Sequence, residues 1–212
     1  MLNQLRARAR ASDGFTVVEL LVVMVLLGAV GTITVAAVIS SLQASSSAEN
    51  RMRALNDLQA GIERVGRELR AAQTLSPHLD DDPAFGMSAS VIRDGDRWRY
   101  DYYLDDDEDA NVALFEDISR YDSDGSLVEQ REGIFITDIA NIELGEPLFE
   151  YFHPDSDGEL APVDCGDQPN RCATAKQVRL TLWKNIRDQD PISVETVVNV
   201  RNMRYDLQDN GD

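Results

Sequence analysis

An apolar run from Phe15 to Ile39, broken by a single carboxylate at Glu19, constrains this chain more than any other feature. Wound as a helix, the 25 residues of the run reach roughly 37 Å, against a hydrocarbon core of about 30 Å. A carboxylate at such depth costs on the order of 2.5–3.5 kcal/mol on insertion scales, so Glu19 needs a partner. A polar leader, MLNQLRARARASDG, precedes the run and carries Arg6, Arg8 and Arg10, with Asp13 as the one local acid. This cationic flank keeps the leader cytoplasmic and directs the remainder of the chain outward.

Two ordinary readings compete for the run. A cleaved secretory signal has a shorter apolar region, about 7–15 residues, ending at a small-residue cleavage site. Here the small-residue cluster Gln43–Ala48 comes only after a much longer stretch. An uncleaved single-span anchor fits the length. Neither reading accounts for Gly14 followed by Phe15 and, four residues on, by Glu19. That arrangement, GFTVVEL, closely resembles the class III signal of type IV prepilins and of the pseudopilins of type II secretion. The resemblance implies that a membrane prepilin peptidase cuts between Gly14 and Phe15 and then N-methylates Phe15. It also makes Glu19 the fifth mature residue, whose role in those families is to pair with a terminal amine during assembly.

Downstream, the apolar residues Leu55, Leu58, Ile62, Val65 and Leu69 recur at alternating steps of three and four, and Ala48 and Met52 extend the series upstream. This is one face of an amphipathic helix. The opposite face carries Glu63, Arg64, Arg67, Glu68 and Arg70. No proline occurs between Phe15 and Ser76, so span and stripe can form one helix over 15–72, about 87 Å long. Ser76-Pro77 then supplies the stop. A coiled-coil dimer is the alternative use of such a stripe. Its brevity and the presence of Gly61 and Gly66 favour packing against the chain's own sheet instead.

From Met87 the punctuation becomes that of antiparallel strands. Asp94-Gly95 marks a tight hairpin turn within SVIRDGDRWRYDYYL. Further strands are expected at Val112–Arg120, Leu127–Glu132, Leu148–His153, through KQVRLTLW with Val178, Leu180 and Leu182 on one face, and through SVETVVNVRN. A long N-terminal helix followed by strands is an α+β order, the helix packed on an antiparallel sheet. The segments LFEYFHPDSDGEL, QVRLTLW and VETVVNVRN are similar to those of J-type minor pseudopilins and W-type minor pilins, which share a class III leader, a long helix and a β-rich domain. The expected organisation is a cleaved leader over 1–14, a transmembrane part over 15–39, an exported amphipathic helix over 40–76 and a β-rich domain over 77–212.

Charge narrows the partners. The chain has 20 basic and 38 acidic residues. Losing the leader removes three arginines and Asp13, leaving 17 and 37 and a side-chain charge of −20. Such acidity disfavours nucleic acid, which binds through Lys and Arg at its phosphates, and equally disfavours anionic lipid headgroups. Cys165 and Cys172, in the exported part, have neither zinc-site partners nor the CxxC redox spacing, so a loop-closing disulfide is expected.

The aspartates invite a calcium reading. Asp105, Asp107, Asp109 and Glu116 stand at positions one, three, five and twelve of an EF-hand-like spacing, but Ala110 occupies the position of the turn glycine. Asp122-Ser-Asp124-Gly125 and Asp155-Ser-Asp157-Gly158 are shorter fragments, equally at home in solvated hairpin turns. No cofactor is expected beyond this calcium candidate. His78 and His153 are isolated, and the nucleophile elbow, phosphate loop and HExxH motifs do not occur, so no enzyme is expected.

By its resemblance, then, the chain reads as a minor pilin or pseudopilin, initiating or capping a filament. Its expected partners are the prepilin peptidase, other pilins or pseudopilins through the helix, and an inner-membrane assembly platform. A tip-located recognition module acting through the acidic β-domain is the alternative.

Overall fold

In the computed structural model the described residues are 16–77, 82, 84–106, 111–165, 172–187 and 189–200. Gly14 and Phe15 lie outside them. The chain is α+β, and it divides into two compact units, Met1–Ala48 and Glu49–Asp212. Helix α1, Val17–Ala71, contributes to both.

Within the first unit every described residue of α1 is exposed, Val17 by 78% and Ile33 by 70% among them. Thr32 Oγ1 donates to Gly28 O at 2.6 Å and Thr34 Oγ1 to Val30 O at 2.8 Å. These hydroxyls are thus satisfied by their own helix.

In the second unit α1 buries Ala54, Leu58, Gly61, Ile62, Val65, Gly66, Glu68 and Leu69. The expected stripe holds from Leu58 to Leu69, with Leu55 partly buried. Its upstream extension does not hold, since Met52 is 64% exposed. Gly61 and Gly66 belong to the packed face, and a Cβ at Gly61 would sit 2.3 Å from Ile136 Cδ1. That contact is too close for any larger residue unless Ile136 moves. The helix also ends earlier than its proline predicts. Ala72 N–H turns back to Leu69 O, and Gln73 N–H donates to Ser90 O at 2.8 Å. Pairing with the sheet therefore stops the helix, and Ser76 and Pro77 belong to strand β1.

Where one sheet was expected there are two. The first is an antiparallel meander of β1 (Thr74–Pro77), β2 (Gly86–Arg93), β3 (Asp96–Asp106), β4 (Val112–Tyr121) and β5 (Leu127–Ile136). Asp94 and Gly95, at φ 54° and 91°, make the hairpin turn between β2 and β3. The second sheet has the order β7-β6-β8-β9, with β6 Phe149–Pro154, β7 Leu160–Val163, β8 Gln177–Ile186 and β9 Gln189–Asn199. Residues 137–141 stitch the two together. Ile139 N–H donates to Val112 O of the first sheet, and Ala140 N–H to Trp183 O of the second. Next in the chain is the short helix α2, Asn141–Leu144. Asn141 is fully buried, donates to Thr181 O at 2.8 Å and accepts from Trp183 N–H at 2.8 Å. A buried amide with both ends satisfied fixes this junction where an apolar residue would leave the strand groups unpaired.

One core joins the stripe of α1 to both sheets. Met87, Ala89, Tyr102 and Leu114 come from the first, and Tyr151, Val178, Leu180 and Leu182 from the second. The expected Cys165–Cys172 disulfide is present, with both residues buried. In the chain-entropy account a closed loop of this length contributes about 2–3 kcal/mol. The Cys165→Ser/Cys172→Ser variant should lose about that much stability in urea melts of the detergent-solubilised chain. A loss under about 0.5 kcal/mol would mean that packing alone holds the loop.

Candidate functional site

The start of α1 is capped. Leu20 N–H donates to Thr16 O at 3.1 Å and Glu19 N–H to Thr16 Oγ1 at 3.2 Å. Thr16 and Glu19 thus occupy the first and fourth places of a capping-box pattern, T-x-x-E. Reading Glu19 only as a lone charge in an apolar run overlooks this pattern, although the spacing is visible in the sequence. An acid in the first turn is also favoured by the helix dipole. The helix thereby provides part of the compensation that a carboxylate in an apolar run requires. Beyond it, α1 is long and apolar enough to cross a membrane.

Within the second unit, a line of ion pairs fixes α1 to the sheets. Asp57 accepts from Lys184 Nζ of β8 at 3.1 Å. One end of Arg64 pairs with Glu116 of β4, and its guanidinium lies 5.0 Å from the centroid of Phe135. Glu68 pairs with Arg93 of β2. Tyrosines complete the pairs: Tyr102 Oη donates to Glu116 at 3.0 Å, and Arg93 Nη1 donates to Tyr100 Oη at 3.0 Å. Burial, and then the adjacent Glu116 charge, push the Tyr102 hydroxyl well above its ordinary pKa. Burial and Glu68 do the same for Tyr100, with Arg93 opposing. Tyr102 is thus held as a neutral donor to Glu116, while Tyr100 accepts from Arg93.

This arrangement revises the sequence reading of two residues. Glu68, expected on the polar face of α1, is 8% exposed and tied to β2. Glu116, the twelfth position of the calcium spacing, is equally buried and accepts from Arg64 and Tyr102. Glu116 stands opposite Tyr102 while Asp105 stands opposite Ala113, so strand alternation puts the two acids on opposite faces of the sheet. Asp107 and Asp109 lie outside the described residues.

Both DSDG fragments are hairpin turns built on side-chain acceptors. Asp122 Oδ1 accepts from Asp124 N–H at 3.0 Å and Ser126 N–H at 2.9 Å, and Gly125 takes a φ of 82°. Asp155 Oδ1 accepts from Asp157 N–H and Glu159 N–H at 2.9 and 3.0 Å, and Gly158 again takes 82°. Turn chemistry thus explains these residues. His153 Nδ1 lies 2.9 Å from Pro154 O, while His78 lies outside the described residues.

Compared with protein-family models, with curated proteins and with solved structures, the chain matches none.

The ion-pair line makes a testable statement about stability. Arg64 is half exposed whereas Glu116 is buried, so removing the arginine strands a buried carboxylate. Arg64→Leu should cost about 1–3 kcal/mol, and Arg64→Leu/Glu116→Gln, which removes the stranded charge but keeps an acceptor for Tyr102, should recover most of that loss. Urea denaturation of both variants checks this; a double variant weaker than the single would contradict it.

Proposed function

We propose that this chain is a minor pilin or pseudopilin, a structural subunit that helps to initiate or cap a type IV pilus or a type II secretion pseudopilus. The observation that carries the reading is Glu19 in the first turn of an apolar helix, four residues beyond a Gly14-Phe15 junction. In this account the prepilin peptidase cuts after Gly14 and methylates Phe15. The mature chain then begins at the cytoplasmic end of its own span, with the β-rich unit exported.

The physics of assembly follows from the two charges. A terminal amine and the Glu19 carboxylate, both in an apolar environment, are each costly alone and much cheaper as a pair. Within one chain they are four residues apart in sequence. As a subunit leaves the bilayer, the Glu19 of one chain can neutralise the amine of the next. The apolar residues of Val17–Ile39, all of them exposed, support packing with neighbouring helices. Interaction with an inner-membrane assembly platform and with other pilins or pseudopilins belongs to this proposal.

Glu19→Ala tests the role. Cleavage at Gly14 should continue, because the peptide bond and its flanking residues are intact. Incorporation into sheared filaments should fall at least tenfold by quantitative immunoblot. Incorporation at the wild-type level would remove Glu19 from the assembly mechanism.

A further inference from the structure

The second unit is strongly acidic, yet one groove in it is cationic. Arg6, Arg8, Arg10, Asp13 and Glu19 precede that unit, which leaves it 17 of the chain's 20 basic residues and 36 of its 38 acidic ones, a side-chain charge of −19. Two cavities, of about 300 and 500 Å³, follow one another along α1 and share Asp57 and Lys184 as lining residues. Among the described residues, Arg53, Arg64, Lys184 and Arg187 line them, against the single acid Asp57.

These cations are open to a ligand in different degrees. Arg187 is exposed and has no partner among the described residues. Arg53 pairs with Glu49, but both side chains are solvated on the helix surface, where such a pair contributes little. Arg64 pairs with Glu116 through one guanidinium nitrogen, stays half exposed and lies over Phe135. Lys184 is the buried member, 8% exposed. An ammonium carries three donors. Its bond to Asp57 Oδ2 at 3.1 Å leaves two of them without a protein acceptor among the described residues, between the two cavities.

Length and lining together select the occupant. From Asn50 to Arg64 the helix rises about 21 Å, a span that an extended chain covers in about six residues. Towards Arg64 the groove passes Gly61, which has no side chain to fill it, and meets Ile134 and Phe135, with Ile134 49% exposed. A ligand that fits the whole groove therefore brings carboxylates to Lys184 and Arg187 and an apolar side chain to Ile134 and Phe135.

We propose that this groove docks an extended acidic segment of a partner protein, with Glu or Asp side chains on Arg53, Lys184 and Arg187 and an apolar residue on Ile134 and Phe135. The groove lies wholly within the second unit, so docking there does not depend on entry into a filament. The net charge of the unit repels acidic ligands, so their binding reports the groove and not the overall charge.

The test uses the full-length chain in dodecyl maltoside micelles and a fluorescein-labelled peptide of three Glu-Gly-Leu-Gly repeats, followed by fluorescence anisotropy. Saturable binding is expected, with none for the same peptide carrying Gln in place of Glu. Arg53→Gln/Arg187→Gln changes two exposed side chains and should weaken binding about tenfold. Arg70→Gln/Arg97→Gln, which removes equal charge from exposed arginines outside the groove, should leave it unchanged. Asp57→Asn keeps an acceptor for Lys184 while deleting the one acid of the groove, and should tighten binding about threefold. No folding defect imitates that gain. The proposal is overturned if the wild type does not bind, if the two double variants weaken binding equally, or if Asp57→Asn weakens it. Competition by free glutamate as effective as that of unlabelled peptide would also overturn it, leaving a site for small anions.

Discussion

Helix α1 carries two apolar patterns on one backbone, a run long and apolar enough to cross a membrane and a stripe that packs on sheets. In lipid, every backbone N–H and C=O must find its partner within the chain, and a helix is the form a single segment can take. In the second unit the same secondary structure has to present a stripe that a sheet can cover. The exposed apolar residues of Val17–Ile39 suit the first demand, and Leu58, Ile62, Val65 and Leu69 meet the second. The sheets in turn depend on that stripe, because it supplies the helical part of their shared core.

Polar contacts then choose one arrangement from the many that greasy packing allows. Asp57, Arg64 and Glu68 reach β8, β4 and β2 respectively, so a rotation of α1 within this unit would break all three ion pairs together. The net stabilisation from such pairs is small once desolvation is counted. Their effect is on register. Asn141 acts similarly at the junction of the two sheets, where its amide bonds strand groups on either side of Leu182.

Much of this was legible in the sequence, and the failures have physical causes. Period and length gave α1 within two residues at its start, the helix end at Ala71 came before the expected boundary at residue 76, and Asp94-Gly95 marked its hairpin without ambiguity. The division into two sheets was hidden, because residues 133–147 carried no strand pattern in the sequence and only the hydrogen bonds of Ile139 and Ala140 show that the strand pairing changes there. Glu68 was misread because helical periodicity assigns a face but cannot see a guanidinium waiting on β2. Gly61 and Gly66 counted against the helix in isolation, yet both lie on its buried face, and at Gly61 a Cβ would meet Ile136 Cδ1 at 2.3 Å. At the candidate site, Glu19 stood out as a charge in an apolar run. Thr16, its partner in the cap, was passed over because a threonine before an apolar run attracts no notice on hydropathy grounds.

The central claim is that Gly14-Phe15 is a processing junction and that Glu19 works beside the new amine. Mass spectrometry of the N-terminal peptide, on sheared filaments and on membranes from cells making the chain at native level, tests it directly. The account predicts a mature peptide beginning at N-methylated Phe15. An intact Met1 start in both fractions would contradict it and leave α1 as a plain membrane anchor.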